Sequence, residues 1–381
     1  MVDGRIVIAG AGIGGLTLAS ALQKSGRHVI VLERSGVAAP LGFGMTVQPN
    51  AFKALRDIGL DGAVFAAGHR LVEATIRHFR GKVLATTSFA ALERELGAPV
   101  LAIHRSWLHD VLLDAAGRDI VKTKFSVATY EQTPTDVVCI AEDDRQVHGA
   151  ILVGADGLWS RVRSTLVGDG PPIYAGYTSW RGVADGWDLT PPGRASESWG
   201  KGRRFGIVPI GRGKVYWFAT ANARAGERDP EDVAGALAHR FHDFHAPVAE
   251  IIRATPPKQI LRTDIYDRPP IRRWSDGRVT LLGDAAHPMT PNLGQGGCQA
   301  IEDAAVLSRA LGEHGDLIAA FRQYEAQRVT RANDIVRRSR ALGDVAQWSG
   351  DVQRFVRDTA MRLTPKSVLM RGLRPLLTFE P

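Results

Sequence analysis

Apolar positions along the chain switch between two periods, and the switches mark the elements. Arg5-Ile6-Val7-Ile8-Ala9 is a short β-branched run, and the stripe Leu16, Leu18, Ala19 and Leu22 after it has helical spacing up to Gly26. His28-Val29-Ile30-Val31-Leu32 follows as a second strand, closed by Glu33. A helix carrying Phe52, Leu55 and Ile58 ends at Gly59, and another opens at His104-Arg105-Ser106-Trp107-Leu108. Between them, Ala74-Thr75-Ile76-Arg77-His78-Phe79 alternates as a strand, with a turn at Gly81 and a mobile loop beyond it. Residues 120–148 predict short strands of a meander covering the sheet. From 172 to 274 the period is two: strands at Tyr177–Val183, Arg204–Ile210 and Lys214–Thr220, the last pair joined by the hairpin signal Gly211-Arg212-Gly213. An amphipathic helix near Val233 to Phe244 follows, the chain is helical again from Ile318 to Arg340, and residues 351–381 form a basic amphipathic tail.

Glycines at the switches carry the chemistry. Gly10-Ala11-Gly12-Ile13-Gly14-Gly15 joins the first strand to the first helix, which is the dinucleotide fingerprint in its βαβ context. Gly10 makes the turn, Gly12 lets a pyrophosphate approach the backbone, and Gly15 lets helix and strand pack closely. Glu33, with Arg34 beside it, closes the second strand where a carboxylate binds ribose hydroxyls. Two further buried runs end in acidic turns before helices. His148–Val153 leads into Gly154-Ala155-Asp156-Gly157, and Arg278–Leu282 leads into Gly283-Asp284, with Pro291, Gly294, Gly296 and Gly297 in the loop after it. Such a loop leaves backbone N–H groups uncovered at a helix start, where they favour an anionic group. Three ligand-type turns on one sheet edge imply one extended ligand, and the fingerprint alone fits NAD or FAD.

Composition narrows the classes. A charge of +8 is spread without blocks of like charge, which argues against nucleic acid and suits anionic ligands. Cys139 and Cys298 are the only cysteines and lie far apart, so neither a metal motif nor a disulfide framework is expected, and a cytoplasmic location is. Five of the eight tryptophans fall in 172–274, which reads as a substrate domain. There Arg204 and Tyr216 lie on adjacent strands and are the expected catalytic pair, with Trp180 and Arg181 as pocket residues. The tail is expected to pack on the core, with peripheral membrane contact as the alternative; a monomer or homodimer is expected.

With these three motifs in this order, the chain resembles the group A flavoprotein monooxygenases of the para-hydroxybenzoate hydroxylase type, over essentially its whole length. It looks most like the branch with zeaxanthin-epoxidase-like, alkylquinolone- and urate-hydroxylating members. The resemblance implies an α/β fold: a Rossmann-like FAD-binding domain (1–70, 98–171 and 275–381, with C-terminal helices) and an inserted antiparallel β-sheet substrate domain (71–97 and 172–274). It implies that Gly10, Gly12, Gly15, Glu33, Arg34 and Arg105 serve the FAD adenosine and pyrophosphate, and that Asp156 and Gly157 serve FAD and a passing nicotinamide. Asp284 matches the ribityl-binding aspartate, and Pro291 to Gly297 lie against the flavin ring. NADH or NADPH is then a transient electron donor and O2 a co-substrate, the oxygen passing through a C4a-hydroperoxyflavin to an electron-rich aromatic or heteroaromatic ring. Cys298 stands where many members carry asparagine. Asn292, a candidate substrate contact, stands where urate hydroxylases carry an acidic residue. Urate or alkylquinolone hydroxylation and epoxidation are the narrower alternatives, and a flavin-loaded binding protein without turnover is the rival of another class. A halogenase is disfavoured because the chain lacks that group's Trp-x-Trp-x-Ile-Pro signature.

Overall fold

The structure, a computed structural model, describes residues 4–36, 43–187 and 191–379. The three runs read as buried strands become neighbours in a six-stranded sheet, ordered Ser275–Asp276, Val279–Leu281, Ile151–Gly154, Ile6–Ala9, Val29–Leu32 and Val121–Lys122. All pairings are parallel except the first. Every residue of Ile6–Ala9, Val29–Leu32 and Ile151–Gly154 is buried, as a sheet covered on both faces requires. The helices Ile13–Lys24, Arg105–Ala116 and Gly296–Glu313 pack together beside it, and the meander Val127–Gln132, Val137–Ala141, Gln146–Gly149 packs against it.

A seven-stranded sheet is built from the 73–88 and 173–267 regions, in the order Leu261–Asp267, Ile173–Asp185, Lys214–Asn222, Arg203–Gly211, Arg194–Trp199, Glu73–His78, Val83–Ser88. One face buries Trp180, Phe205, Trp217 and Ala219 under the helices Val233–Arg240 and Val248–Ala254. Its other face looks toward the parallel sheet.

Two expectations are corrected. The region after Gly81 is no loop: Val83–Ser88 is a strand, and Ser88 caps the helix Phe89–Leu96 by accepting from Ala91 N at 3.2 Å. Leu92 and Leu96, four apart, bury one stripe of that helix against Leu376 and Leu377. The helix after the Asp284 loop begins at Gly296, because Gly294 takes a left-handed turn (φ 63°) that ends the loop early. Several strands escaped the pattern: Gly44–Val47 and His69–Leu71, which both pair with Val100–His104, and Arg194–Trp199 and Leu261–Asp267 of the large sheet.

The tail forms two helices, Asp351–Leu363 and Lys366–Leu377. One side packs: Arg357 is buried, with its guanidinium 5.2 Å from the Trp199 ring and Nη1 donating to Ala346 O. The other side leaves Val352, Phe355 and Leu363 exposed. Among the described residues no helix is long and apolar enough to cross a membrane.

Candidate active site

Register brings the three motifs to one line. Ala9 pairs with both Leu32 and Gly154, and Gly154 pairs with Leu281, so four strands end in one row. Gly10, Glu33, Asp156 and Asp284 therefore stand just beyond one carboxyl edge, the binding edge of an open α/β sheet. Two cavities open there. The first, of about 880 Å³, is lined by Gly10, Gly12, Glu33, Arg34, Arg105, Asp156 and Gly157. The second, of about 540 Å³, runs between the edge and the large sheet and is lined by Asp284, Pro291, Asn292, Gly294, Gly296 and Gly297, with Arg181, Arg204 and Tyr216 opposite. Gly12, Arg105, Ala155 and Gly157 line both, so the two are one elongated site.

The glycines differ in what they make room for. A Cβ on Gly10 (φ 108°) would lie 2.4 Å from Ala155 O, and one on Gly15 would lie 2.0 Å from Gly10 O. Those two positions are closed by the fold itself. A Cβ on Gly12 would meet no protein atom within 4 Å: the space it guards is the cavity. Glu33 takes Ala11 N at 2.9 Å and Ser35 N at 2.8 Å, which fixes its carboxylate beside the glycine loop.

The acidic turns differ as well. Asp156 caps the Arg161–Val167 helix, accepting from Ser160 Oγ at 2.5 Å and Arg161 N at 2.8 Å. Asp284 accepts no hydrogen bond from any described residue. Its side chain is open to the second cavity, and desolvation by the surrounding protein raises its carboxyl above the usual range while His287 and Arg105 pull it down. Arg105 has no ion-pair partner among the described residues; its guanidinium lies 5.2 Å from the Phe43 ring, and burial lowers its pKa. A carboxylate open to the second cavity and a half-buried guanidinium at the junction of the two, both without a partner among the described residues, are groups that a ligand would satisfy. Hydroxyl donors would satisfy the first and a phosphate the second, and the open space at Gly12 leaves room for a ligand between them. The residues present fit FAD.

The Asp284 turn is held from behind. Asp303 accepts from Gly283 N at 2.9 Å, from His287 Nε2 at 2.5 Å and from Arg328 Nε at 2.7 Å. Burial alone would raise the Asp303 carboxyl, but His287 and Arg328 outweigh it and hold the pKa at about 2. Arg163, fully buried, donates to the carbonyls of Ala285 and Ala286 and pairs with Asp169. His287 is thus a support of the loop. Cys298 is buried with its thiol near Thr46 O and Gly294 O and pushed up to about 12 by burial; it does not line the cavity.

On the opposite wall Arg204 is buried and engaged on three nitrogens. Nε donates to Gln347 Oε1 at 2.9 Å and Thr220 Oγ1 at 3.2 Å, Nη1 to Glu197 at 3.1 Å and Nη2 to Asn292 at 2.7 Å. Tyr216 packs its ring over Gly44, where a Cβ would lie 2.4 Å away, and burial raises its phenol pKa. Arg181 places its guanidinium 5.0 Å from the Phe43 ring.

Trp180 is the misplaced candidate. Side chains alternate along a strand, so with Ser179 and Arg181 on the cavity, Trp180 must face away. It is 2 % exposed, belongs to the apolar layer under the Val233–Arg240 helix and donates from Nε1 to Asp229 at 2.7 Å. The same alternation would have found Phe218 and Glu197, which line the cavity and were missed for want of a known register.

A family model described as an FAD binding domain matches residues 3–339. The chain is 45 % identical over 376 residues to aurachin C monooxygenase/isomerase of Stigmatella aurantiaca, covering 99 % of this chain and 98 % of the relative. It is 34 % identical over 348 residues to the FAD-dependent urate hydroxylase of Klebsiella pneumoniae, covering 90 % of each. The crystal structure of Klebsiella pneumoniae HpxO complexed with FAD and uric acid matches with a TM-score of 0.91 at 32 % identity, covering 97 % of this chain and 95 % of that one. Motifs, cavity and relatives agree: the chain belongs to the FAD-dependent aromatic monooxygenases, the group A flavoprotein hydroxylases.

Proposed function

We propose that the enzyme binds FAD along both cavities and hydroxylates an electron-rich aromatic or heteroaromatic ring held at the large sheet, with NADH or NADPH as electron donor and O2 as co-substrate. One observation carries this reading. The site is continuous past Gly12, Arg105 and Gly157, with sugar- and phosphate-binding groups at one end and an aromatic, arginine-bearing wall at the other. Bound FAD supplies the oxygen-activating chemistry. The first cavity takes the adenosine and pyrophosphate on Gly10, Gly12, Glu33, Arg34 and Arg105, near Asp156 and Gly157. Asp284 takes ribityl hydroxyls, and the 291–297 loop lies along the ring. The N–H groups at the start of the Gly296–Glu313 helix favour negative charge there.

In this reading Tyr216 stays a phenol and donates to the substrate oxygen. Arg204 keeps two of its five N–H donors free for the cavity, since Nε, Nη1 and Nη2 each commit one. Arg181 and Asn292 complete the substrate contacts. The chain divides accordingly into a cofactor domain (1–70, 98–171 and 275–381) and a substrate domain (71–97 and 172–274). Hydroxylation of urate or an alkylquinolone, and epoxidation, are narrower versions of the same reaction. The experiment is NADH and NADPH oxidation by FAD-loaded protein over hydroxyaromatics, quinolones and purines, with product mass read in the same wells. Oxidation stimulated by one ring, with a product one oxygen heavier, supports the reading; no stimulation by any ring counts against it.

A second reading concerns the tail. Val352, Phe355, Val356, Leu363 and Val368 are five of the ten exposed large apolar side chains among the described residues, and Arg362, Lys366 and Arg371 stand exposed beside them. That combination favours weak contact of the 351–381 segment with an anionic lipid surface. Two buried free thiols fit a cytoplasmic enzyme, monomeric or homodimeric.

A further inference from the structure

One row of residues crosses four strands of the large sheet. Arg181 is the partner of Phe218, Phe218 of Gly206, and Gly206 of Glu197. Directly opposed residues share a face, and Arg181, Phe218 and Glu197 all line the second cavity. Gly206 brings no side chain, and the Phe218 ring lies across it: a Cβ there would sit 2.0 Å from the ring. The wall therefore has an aromatic floor with a guanidinium rooted at one end and a carboxylate at the other. The two are three strand spacings, or about 14 Å, apart at the backbone.

The carboxylate changes what the wall can accept. Glu197 Oε1 takes Arg204 Nη1 at 3.1 Å, while Oε2 accepts from no described residue. Its side chain is 24 % exposed and lines the cavity, whereas that of Arg204 is 4 % exposed. The charge of Arg204 is thus matched within the protein before any ligand arrives.

We infer that Glu197 is a specificity-determining residue: it accepts a hydrogen bond from an N–H or O–H on the edge of an uncharged substrate ring and excludes rings that carry a carboxylate. The inference rests on the substrate-site reading above and narrows it. A carboxylate can only accept, so a ring that expels water from Oε2 must bring a donor in return. A carboxylated ring meets the Glu197 charge without a free arginine charge to offset it there. Arg181, which has no ion-pair partner among the described residues, is left for a ring oxygen at the opposite end. The substrate class is a neutral vinylogous amide or hydroxyarene, with a donor on one edge and an oxo or hydroxyl oxygen on the other.

The test is calorimetric titration of FAD-loaded protein, without electron donor, with three probes: 4-quinolone, N-methyl-4-quinolone and 3-hydroxybenzoate. Wild type is expected to bind 4-quinolone at least tenfold more tightly than its N-methyl form, and Glu197→Ala to lose that preference. Glu197→Gln and Glu197→Ala are both expected to gain at least tenfold for 3-hydroxybenzoate, because the Arg204 charge is released. Flavin content and melting temperature report whether each variant folds. An unchanged N–H preference in Glu197→Ala overturns the inference, as does a variant that weakens all three probes equally, which would make Glu197 only a support for Arg204. Failure of the underlying reading looks different: wild type would then retain FAD and bind none of the rings, and the inference would fall with it.

Discussion

Arg204 and Asn292, 88 positions apart, are joined by a 2.7 Å hydrogen bond from Nη2 to Oδ1 on the wall of the second cavity. The same Oδ1 takes Tyr177 Oη at 3.2 Å, while Asn292 Nδ2 donates to Thr290 Oγ1 and Ser339 O, both at 2.9 Å. One side chain thus ties the large sheet, the 291–297 loop and the long Leu317–Ala346 helix together. Asn292→Ala is expected to lower kcat/KM at least tenfold, the loss of about 1–3 kcal/mol that an orphaned buried donor costs, with flavin content unchanged. Gly343→Ala should reproduce the defect, since a Cβ there would lie 2.3 Å from Asn292 Nδ2. Steady-state kinetics beside a visible spectrum decide it, and an unaltered kcat/KM in both variants would remove Asn292 from the site.

Asp284 should trade stability against cofactor affinity. Its folded pKa lies above its unfolded one, so between those two values the native state without FAD holds a proton that the unfolded chain has lost. The stability of FAD-free protein is therefore fully present below the ordinary carboxylate pKa and falls as pH rises through the raised value. Asp284→Asn removes that penalty. FAD-free variant is expected to melt above FAD-free wild type at pH 7, with the gap closing toward pH 4, while FAD affinity drops at least tenfold. Melting curves and flavin titrations at both pH values test it; a variant that melts lower and keeps its flavin would refute this account of the carboxylate.

Gly12 and Gly15 should fail in different ways. Gly12→Ala adds a methyl facing only the cavity, so the protein should fold within about 0.5 kcal/mol of wild type yet bind FAD poorly. Gly15→Ala pushes a methyl to 2.0 Å from Gly10 O and should cost several times more stability, of the order of 1–3 kcal/mol for overpacking. Urea denaturation of FAD-free protein separates the two; equal stabilities would contradict the packing argument.

Behind the loop, Arg328 sits fully buried between Glu302 and Asp303. Asp303→Asn leaves buried charge uncompensated and is expected to destabilise by about 3–5 kcal/mol. The Asp303 pKa is held near 2, below its unfolded value, so its contribution is complete above the ordinary carboxylate pKa and is lost as pH falls through about 2. Acid titration of folding should accordingly be steeper for wild type than for Asp303→Asn between pH 4 and 2.

Phe355 is 72 % exposed on the outer face of the Asp351–Leu363 helix. Phe355→Asp is expected to abolish cosedimentation with vesicles containing anionic lipid and to leave turnover of a dissolved substrate unchanged. Equal pelleting of both proteins would dispose of the lipid contact.

Most of the cofactor half was legible in the chain. Strand, glycine turn and helix are contiguous in Ile6–Lys24, and the close approach of Gly15 to Gly10 lies within the turn itself, so the motif carries most of its own geometry; the contact of Gly10 with Ala155 comes from the neighbouring strand. The acidic turns at Asp156 and Asp284 were equally plain, because each follows a buried run and precedes a helix. What only the tertiary structure decided is which side chains face one another across the large sheet. Trp180 and Arg181 look equally suited to a pocket, and only the pairing of Arg181 with Phe218 sends one inward and the other under a helix. A one-residue change of register would exchange them. Glu197 carries no motif: it became a cavity residue through its pairing with Gly206 and its contact with Arg204. Local motifs are set by covalent neighbours and survive in one dimension, whereas a binding wall assembled from four strands exists only after those strands have found their register.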